Sequence, residues 1–455
     1  MRVRIEPGGT VRGRTAVPGD KSIGHRWLIL AATALGASEL REVPPALDVR
    51  STARCLAALA PSARDVLEGW VASPGATGND DGFTFNKGEP RPPSPVLRIE
   101  GRGRAGLQVP DAELDCGNSG TTIRLLTGVL ASSPFASVLT GDESLRVRPM
   151  GRVAEPLRGM GADLETTEGC PPIAVRGRRL RGIRYAMPVA SAQVKGAVLL
   201  AGLEAEGETT VTEPSPTRDH TERALAQLGA PVWVSGEGEV GVSAFRHEGF
   251  AAVVPGDVSS AAFLVAAAAL TGGELTIEGV GLNPSRTRFL AVMERMGVRT
   301  QAEVRDMELG EPVGDLHVLA CEGLRGTTVD REELPLVIDE VPVLAALAAH
   351  AAGESWFVGA SELRVKESNR LDGLAELLRS LGGEAAVEGD DLLLAGGGLD
   401  GGRADALGDH RMAMAMCVAA TAAGSAVEVE GIEAVAVSFP GFTETLRALG
   451  ARIGG

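Results

Sequence analysis

Val17-Pro18-Gly19-Asp20 recurs about half a chain length later as Val254-Pro255-Gly256-Asp257. In both copies a serine follows the aspartate by two residues, and an alanine-rich apolar stretch begins there, over residues 22–35 and 259–270. Apolar stretches of this length that begin with Ser and end near Gly predict helices. A motif that is repeated together with the helix that follows it predicts a duplicated architecture.

A finer repeat lies inside each half of the chain. Short β-rich segments follow the apolar helices, as at 208–211, 274–277 and 426–429, and second, amphipathic helices end in glycine. Glycine just past the last helical residue is typical of a C-cap. The apolar helices are predicted to begin near Ser22, Asn118, Ser191, Ser259, Glu340 and Asp409. The sequence thus predicts an α/β fold of six units, three in each half.

The composition restricts the class of protein. With 455 residues the chain is long enough for two or three domains, since a domain usually has about 100–200 residues. A formal net charge of −16 and an aromatic content of 3% argue against nucleic acid as a partner, because that function needs a basic face or stacking aromatic side chains. Of the 44 basic residues only Lys21, Lys87, Lys195 and Lys366 are lysine. We therefore treat each lysine as a candidate for a position that arginine cannot fill.

The sequence also predicts the compartment. Its five cysteines are scattered, and neither a CxxC pair nor a Cys/His cluster with zinc spacing occurs. The first residues contain no apolar segment typical of a signal peptide, and the longest apolar runs are too short to cross a bilayer. We expect a cytoplasmic protein with no bound metal and no membrane association. Residues 73–95, rich in Gly, Pro and Asp, are expected to form a surface loop.

Polar and cationic residues are concentrated at the predicted helix starts. Free N–H groups and a partial positive charge at a helix N-terminus favour anions, and cationic side chains strengthen such a site. The segments are Lys21-Ser22 with His25-Arg26, Asn118 to Thr122, Ser191-Ala192-Gln193 with Lys195, Lys366 to Arg370, and Asp409-His410-Arg411. Four of the five carry a cation and three of the four lysines lie in them, which predicts a polyanionic ligand.

Helix capping is the structural alternative for these segments, because Ser, Thr, Asn and Asp begin helices without any ligand. Capping explains Ser259, which no cation follows closely, and it suffices for Asn118. It does not explain the cations, since Lys or Arg in a first turn opposes the helix dipole.

Two candidate acids lie near the cations. Asp339 follows the apolar run 334–338, which is predicted to be a strand that leads into a helix, and Glu367 lies between Lys366 and Arg370. Neighbouring cations lower the pKa of an acid, whereas burial raises it. Asp339 could instead simply cap the helix that follows it.

Six segments together resemble the 3-phosphoshikimate 1-carboxyvinyltransferase family, also called 5-enolpyruvylshikimate-3-phosphate synthases, and the resemblance runs from about Val11 to Phe442. In the family's order they are Pro18 to Ser22, Gly117 to Thr121, Arg148-Pro149-Met150, Ser191 to Lys195, Arg364 to Ser368 and Asp409-His410-Arg411. The resemblance implies two similar domains of three βαβαββ-type units each, an inside-out α/β barrel, with the helix N-termini facing the cleft between the domains. It also implies that the chain crosses between them near residues 20 and 250. We therefore expect a first domain of residues 1–20 plus 251–455 and a second domain of residues 21–250.

The resemblance implies transfer of the enolpyruvyl group of phosphoenolpyruvate to the 5-hydroxyl of shikimate 3-phosphate, with release of phosphate. In the family this step of the shikimate pathway to aromatic amino acids proceeds by addition and elimination through a tetrahedral intermediate, without metal or organic cofactor. Both substrates carry phosphate and carboxylate, which agrees with cationic helix starts. Neither a nucleic acid nor a membrane partner is implied, and we expect a monomer.

The motif matches imply site residues by their positions in this sequence. Asp339 would act as base toward the 5-hydroxyl with Lys21 assisting, and Glu367 would exchange a proton with the methylene carbon of phosphoenolpyruvate. The shikimate 3-phosphate site would comprise Lys21, Ser22, Arg26, Ser191, Ala192, Gln193, Arg218, Asp339 and Lys366. The phosphoenolpyruvate site would comprise Lys21, Gly120, Arg148, Gln193, Arg370 and Arg411.

Two positions depart from the family's pattern. Val437 precedes Ser438-Phe439-Pro440 where many members have a lysine, and Ala192 stands where many have a second serine. Both features resemble a subgroup that includes glyphosate-tolerant enzymes. Gly120 points the other way, because it leaves room beside phosphoenolpyruvate where tolerant members can carry alanine.

Two other functions compete with this interpretation. The sister enzyme UDP-N-acetylglucosamine enolpyruvyltransferase shares the fold and the chemistry. It usually has Lys-Asn in place of Lys21-Ser22 and a reactive loop cysteine, whereas residues 132–148 here contain no cysteine. A non-catalytic anion-binding protein would not need Asp339 and Glu367 beside the cations.

Overall fold

The computed structural model describes residues 1–73, 95–236, 238–321 and 323–454, so most of the loop predicted at 73–95, with Lys87, lies outside the described residues. In chain order the strands are β1 (Arg2–Glu6), β2 (Gly13–Ala16), β3 (Leu35–Arg41), β4 (Leu97–Arg102), β5 (Leu114–Asp115), β6 (Ala136–Thr140), β7 (Asp163–Thr167), β8 (Cys170–Arg176), β9 (Arg184–Ala186), β10 (Thr209–Thr212), β11 (Val232–Val234), β12 (Glu239–Val242), β13 (Ala251–Val253), β14 (Leu275–Gly281), β15 (Arg299–Glu308), β16 (Glu311–Leu319), β17 (Thr328–Val329), β18 (Glu354–Phe357), β19 (Glu384–Glu388), β20 (Asp391–Ala395), β21 (Gly402–Asp405), β22 (Val427–Glu430) and β23 (Arg452–Gly454).

The α-helices are α1 (Lys21–Thr33), α2 (Leu47–Leu59), α3 (Arg64–Ala72), α4 (Gly120–Leu130), α5 (Glu143–Arg146), α6 (Gly151–Gly159), α7 (Ala192–Gly202), α8 (His220–Gln227), α9 (Val258–Leu270), α10 (Arg288–Arg295), α11 (Leu334–Val337), α12 (Val341–Ala349), α13 (Arg370–Ser380), α14 (His410–Ala420) and α15 (Phe442–Leu449). Short 3-10 helices span Arg104–Gly106, Ser361–Val365 and Ile432–Val437. Across the described ranges, no helix has both the length and the apolar character needed to cross a membrane.

Six small sheets organise the strands, in the orders β21-β22-β1-β23, β11-β12-β10-β9, β13-β3-β4, β15-β16-β14-β2, β17-β18-β20-β19 and β5-β6-β8-β7. Each sheet contains one parallel pair, and its other pairs are antiparallel. Three units keep the full βαβαββ order in one continuous segment: β5-α4-β6-α6-β7-β8, apart from the short α5, β9-α7-β10-α8-β11-β12, and β17-α12-β18-α13-β19-β20, apart from the short α11. The predicted α/β fold of six units is confirmed.

Two hydrophobic cores divide the chain. One contains residues between Val3 and Val17 and between Val258 and Ala451, and the other contains residues between Ile23 and Val254. The helix α12 is buried along its whole length, and α9 is buried along all but its last residue. A helix that is apolar on every side is stable only when other elements surround it, so these sequences place their helices inside.

The two Val-Pro-Gly-Asp copies lie side by side where the chain passes between the cores. Gly19 and Gly256 form an antiparallel bridge, and the two motifs exchange backbone hydrogen bonds of 2.7 and 2.8 Å. The strand β2, which leads into the first copy, pairs with β14, whereas β13, which leads into the second, pairs with β3. We therefore propose the two predicted domains with one adjustment: the second boundary follows Val254 and not residue 250, because β13 belongs to the sheet of residues 21–250.

Local sequence signals predicted most helix ends correctly and one strand wrongly. Glycines 161, 229, 382 and 450, just beyond α6, α8, α13 and α15, have φ angles between 87° and 115°, which confirms the predicted C-caps. The run at 334–338 is not a strand, since Leu334–Val337 forms the short helix α11. Pro335 is tolerated in its first turn, and Leu334 and Val337, three residues apart, are both buried.

Candidate active site

All five helix starts singled out in the sequence have a capping side chain. Asp20, Ser119, Ser191, Asn369 and Asp409 each accept a hydrogen bond from a backbone N–H of the first turn. The cap of α4 is therefore Ser119 and not Asn118. In the same way, the serine at 259 is not the cap of α9, because the aspartate two residues before it takes that role. A cap satisfies only part of the free N–H groups at a helix start, so capping and anion binding are compatible.

Asp339 is the acid at the centre of the cations. Its carboxylate contacts Arg218 Nη2 and lies 3.3 Å from Lys366 Nζ and 3.9 Å from Arg370 Nη1. Burial works to raise the pKa of Asp339, but the cations, first Lys366 and then Arg218, outweigh burial and hold that pKa well below its usual range. The carboxylate is therefore ionised at neutral pH.

Asp339 does not cap the following helix, so that alternative is wrong. The N-cap residue of α12 is Glu340, and no side chain accepts a capping hydrogen bond there. The backbone carbonyl of Asp339 accepts a 2.7 Å hydrogen bond from Arg411 Nη1, which also donates to Ser259 Oγ at 2.8 Å. Ser259 in turn donates to Glu340. Arg411 thus connects the starts of α9, α12 and α14 beside Asp339.

Glu367 belongs to a second charged cluster. Its carboxylate lies 2.7 Å from Arg370 Nη2, while Asp409 accepts from Nε and Nη2 of the same guanidinium at 2.7 and 3.1 Å. Burial works to raise the pKa of Glu367, but Arg370, followed by His410 and Lys21, outweighs burial and holds that pKa well below its usual range. The helix α13 begins only at Arg370, so Glu367 lies in the segment that precedes it.

The charged clusters bring together side chains from both cores. Arg218, from the segment before α8, contacts Asp339 of the other core and lies 3.5 Å from Ser22 Oγ. Lys21 opens α1, and its Nζ donates to Asp48 Oδ2 at 3.1 Å. Asp48 was missed in the sequence, where it is an ordinary acid of the first turn of α2. The site therefore lies between the two cores.

Arg26 differs from the other predicted substrate ligands because protein groups accept from all three nitrogens of its guanidinium. It donates to Thr221 Oγ1 at 2.8 Å, to the Ser22 carbonyl at 2.8 Å and to the Ala192 carbonyl at 3.3 Å. Burial lowers the pKa of Arg26 to about 10. Arg26 thus joins the starts of α1, α7 and α8 and brings Ser22 close to Ala192, next to the capping Ser191.

Gly120, Arg148 and Gln193 are brought together by an arginine that the sequence analysis missed. Arg124 donates to the Gly120 carbonyl at 3.2 Å, to Gln193 Oε1 at 2.7 Å and to the Pro149 carbonyl at 3.3 Å. A Cβ at Gly120 would lie 2.6 Å from Arg124 Nη1, so a larger residue there would require the end of the Arg124 side chain to shift. Arg148 Nε is buried without a hydrogen-bond partner in the described ranges. The spacing in the sequence could have identified Arg124, since it lies one helical turn after Gly120.

Lys195 does not belong to the cations of the cleft. Its side chain is only 2% exposed, and its Nζ lies 2.6 Å from both Glu213 and Glu222. Burial raises the pKa of Glu222, and the charge of Lys195 opposes that rise. The lysine that shared a helix with Gln193 is therefore part of a buried ion-pair cluster, and the count of lysines overstated the anion site.

Replacing Lys195 with methionine is expected to lower the free energy of unfolding by about 3 kcal/mol, because two buried carboxylates lose their shared cation. Without the lysine, burial raises the pKa of Glu222 further, so the folded state binds a proton more tightly than the unfolded state. Stability must then fall as pH rises, and the loss should be larger at about pH 8 than at about pH 5. Urea unfolding at both pH values measures this, and equal midpoints for variant and parent at the higher pH would contradict it.

Within the parts of the chain that the structure describes, no three His, Cys, Asp or Glu side chains are grouped as they would be around a metal ion. The five cysteines are free, and three of them are buried.

Comparison with known proteins identifies the family of the chain. Residues 5–75 and 94–446 match the family described as EPSP synthase (3-phosphoshikimate 1-carboxyvinyltransferase). A 3-phosphoshikimate 1-carboxyvinyltransferase of Thermus thermophilus ATCC 27634 is 48% identical over 453 residues, 98% of each chain, and one of Acidithiobacillus ferrooxidans ATCC 53993 is 45% identical over 442 residues, 97% of this chain and 96% of that one. A solved EPSP synthase structure from Acinetobacter baumannii superposes with a TM-score of 0.83 at 37% identity and covers all of this chain and 99% of its own. The chain therefore belongs to the EPSP synthase family.

Proposed function

We infer that this chain catalyses the family's reaction, the transfer of the enolpyruvyl group of phosphoenolpyruvate to the 5-hydroxyl of shikimate 3-phosphate with release of phosphate. The observation that carries this inference is the pair of acids, Asp339 and Glu367, among cations contributed by both cores, with side chains that are 16% and 30% exposed. A reaction that joins two anionic substrates and moves two protons needs this combination of charges. The relatives reported above carry the name of this activity and not that of the sister enzyme.

We propose that Arg218 and Lys366 bind the anionic groups of shikimate 3-phosphate. Both cations contact Asp339 in the structure, and Arg218 also approaches Ser22. The remaining side of this site would come from Lys21, Ser191, Ala192 and Gln193 at the starts of α1 and α7. The side chain of Arg26 would hold the residues of this site in position and not bind the substrate itself, because its donors are already bonded to Ser22, Ala192 and Thr221.

Phosphoenolpyruvate would bind at the neighbouring cations. Arg148 has an unpartnered buried Nε, and Arg124 holds Gln193 and the start of α4 at Gly120 beside it. Arg370 and Arg411 would complete the site from the other core, together with Lys21. Guanidinium groups suit this substrate, because they pair with carboxylate and phosphate oxygens in a planar, two-point geometry.

Substrate binding would itself prepare the acids for proton transfer. A phosphate at Arg218 and Lys366 competes with Asp339 for their charge, so the pKa of Asp339 rises and the carboxylate becomes a stronger base. Phosphoenolpyruvate bound at Arg370 would raise the pKa of Glu367 in the same way. Asp339 would then accept the proton of the 5-hydroxyl while the oxygen of that hydroxyl bonds to C2 of phosphoenolpyruvate and Glu367, in its protonated form, donates its proton to C3. Loss of a proton from C3 to Glu367 and cleavage of the bond between C2 and the phosphate oxygen would release phosphate.

The location and the assembly of the enzyme are predicted from the sequence. We propose that it acts in the cytoplasm and as a monomer, since its cysteines are free and its composition favours neither a membrane nor nucleic acid. Size-exclusion chromatography with light scattering should give a particle close to the chain mass of 46.9 kDa.

Release of inorganic phosphate tests the activity directly. The purified protein should release phosphate from phosphoenolpyruvate when shikimate 3-phosphate is present, and not when either substrate is omitted. UDP-N-acetylglucosamine offered as the acceptor should give no release above background. Folded protein that is inactive with shikimate 3-phosphate, or active with the nucleotide sugar, would overturn the assignment.

A further inference from the structure

A buried polar cluster joins the two cores beside the candidate active site. We call it the hinge joint, and it consists of Asp219 and His220 from the core of residues 23–254 with Asn283 and Glu311 from the other core. His220, Asn283 and Glu311 are 1%, 2% and 1% exposed, so their polar atoms are removed from solvent.

Asn283 is the central residue of the hinge joint. Its Nδ2 donates to Asp219 Oδ1 at 2.7 Å and to Glu311 Oε2 at 2.8 Å, so one amide group bridges carboxylates of the two cores. The other oxygen of Glu311 lies 2.8 Å from His220 Nδ1. On the far side of the amide, Asn283 Oδ1 accepts from the backbone N–H of Ser285 at 2.8 Å. Within the described ranges, His220 Nε2 is buried without a hydrogen-bond partner. The bonds that the network does make are costly to lose in a buried place, so they favour a single geometry.

The joint lies where the chain crosses between the cores. Asn283 follows β14, whose Val280 bridges Gly256 of the second Val-Pro-Gly-Asp copy. On the opposite side, Asp219 directly follows Arg218, which contacts Asp339 of the other core. The next turn adds a further link between the cores, because Arg223 donates to the Gly310 carbonyl at 3.1 Å. The backbone that carries Arg218 is therefore attached to the opposite core immediately after that residue.

We propose that the hinge joint is a positioning element that holds Arg218 opposite Asp339, so that the phosphate of shikimate 3-phosphate meets both domains at once. The proposal rests on the proposed function of Arg218. None of the four joint residues needs to touch substrate for this role. Their effect is expected on shikimate 3-phosphate and not on phosphoenolpyruvate, because Arg218 is a proposed ligand of the first substrate only.

The substitution Asn283→Asp tests the joint with almost no change in volume. It removes the two donated hydrogen bonds and places a third carboxylate beside Asp219 and Glu311. The KM for shikimate 3-phosphate should rise about tenfold, because loss of this buried network displaces the segment that carries Arg218. The KM for phosphoenolpyruvate should stay within about twofold of the parent value. The double variant Asn283→Asp with Glu311→Gln restores one amide–carboxylate pair and should recover part of the loss.

A matched control separates positioning from general stability. Glu333→Gln weakens another ion-pair cluster of the same core, where the buried Glu333 binds the half-exposed Arg288 and Arg295. It should lower the unfolding temperature without changing either KM. If Asn283→Asp lowers the unfolding temperature and leaves the KM for shikimate 3-phosphate unchanged, or raises both KM values equally, the positioning role is wrong.

A second measurement does not depend on the reaction. Backbone amide hydrogen exchange in residues 213–223 should accelerate in Asn283→Asp and not in Glu333→Gln, whether or not the enzyme turns over. Unchanged exchange would contradict the positioning role of the hinge joint without contradicting the proposed function. Inactivity of the parent enzyme, in contrast, would contradict the proposed function. Hydrogen exchange would then still show whether the hinge joint holds residues 213–223 in place.

Discussion

The variant Asp339→Asn is expected to lose about a thousandfold in kcat, because its amide cannot accept the proton of the 5-hydroxyl group. The substitution keeps the shape of the side chain, so Arg218 and Lys366 remain in place. Both cations then lose a competing carboxylate, and the KM for shikimate 3-phosphate should stay the same or fall. A decrease in kcat without an increase in KM is the signature of a group that acts in the transition state. Steady-state phosphate release measures both constants.

The pH dependence sharpens this prediction. The cations hold the pKa of Asp339 well below its usual range in the free enzyme, so the carboxylate is already ionised at pH values near neutral. The deficit of Asp339→Asn should therefore be the same at about pH 6 and about pH 8 in kcat/KM, which reports the free enzyme. Asp372→Asn, at an acid in the first turn of α13 that binds Asn369 and Arg364, serves as the matched control and should keep the parent kcat. Retention of more than about a tenth of the parent kcat by Asp339→Asn would exclude this carboxylate as the base.

The parts of the fold that sequence reasoning predicted are those with local signals. Asp20 and Ser191 begin helices because each lies next to an apolar run and can accept from the first turn. The exchange of β2 and β13 between the two sheets has no local signal, because pairing partners lie more than 200 residues away along the chain. The repeated motif and the family resemblance together indicated where the chain would cross. The boundary near residue 250 stays a prediction, and the sheet to which β13 belongs could not be assigned from the sequence.

The site shows the same division. Asp339 and Glu367 could be selected from their position beside cations, but their partners depend on which helices meet in the folded chain. Arg124 looks like an ordinary cation inside α4 until α7 and Pro149 pack against it. Lys195 is the opposite case, because it was predicted at the anion site and lies in a buried ion-pair cluster. Glu213 and Glu222 lie 18 and 27 residues further along the chain, and only folding brings them to the lysine. Rarity of a residue type therefore indicates a special position without indicating which kind.

Glu367→Gln is expected to lower kcat about a hundredfold, because glutamine can neither donate a proton to C3 of phosphoenolpyruvate nor accept one from it. Arg370 would keep its two bonds to Asp409, so the guanidinium should stay in position to bind phosphoenolpyruvate. The KM for phosphoenolpyruvate should accordingly change little or fall, since the lost carboxylate competed for Arg370. Steady-state kinetics in H2O measure kcat and KM separately.

Hydrogen isotope exchange identifies the atom at which Glu367 acts. During addition the methylene carbon becomes a methyl group, and during elimination any of its three hydrogens can leave. Reaction in D2O should therefore place deuterium in the methylene group of the parent's product, and Glu367→Gln should slow this incorporation in proportion to kcat. Glu376→Gln, on the exposed face of α13, is the control and should show the parent rate and the parent incorporation. If Glu367→Gln loses turnover while the methylene carbon of phosphoenolpyruvate still exchanges at the parent rate, the proton at C3 is carried by another group, and Glu367 only positions Arg370.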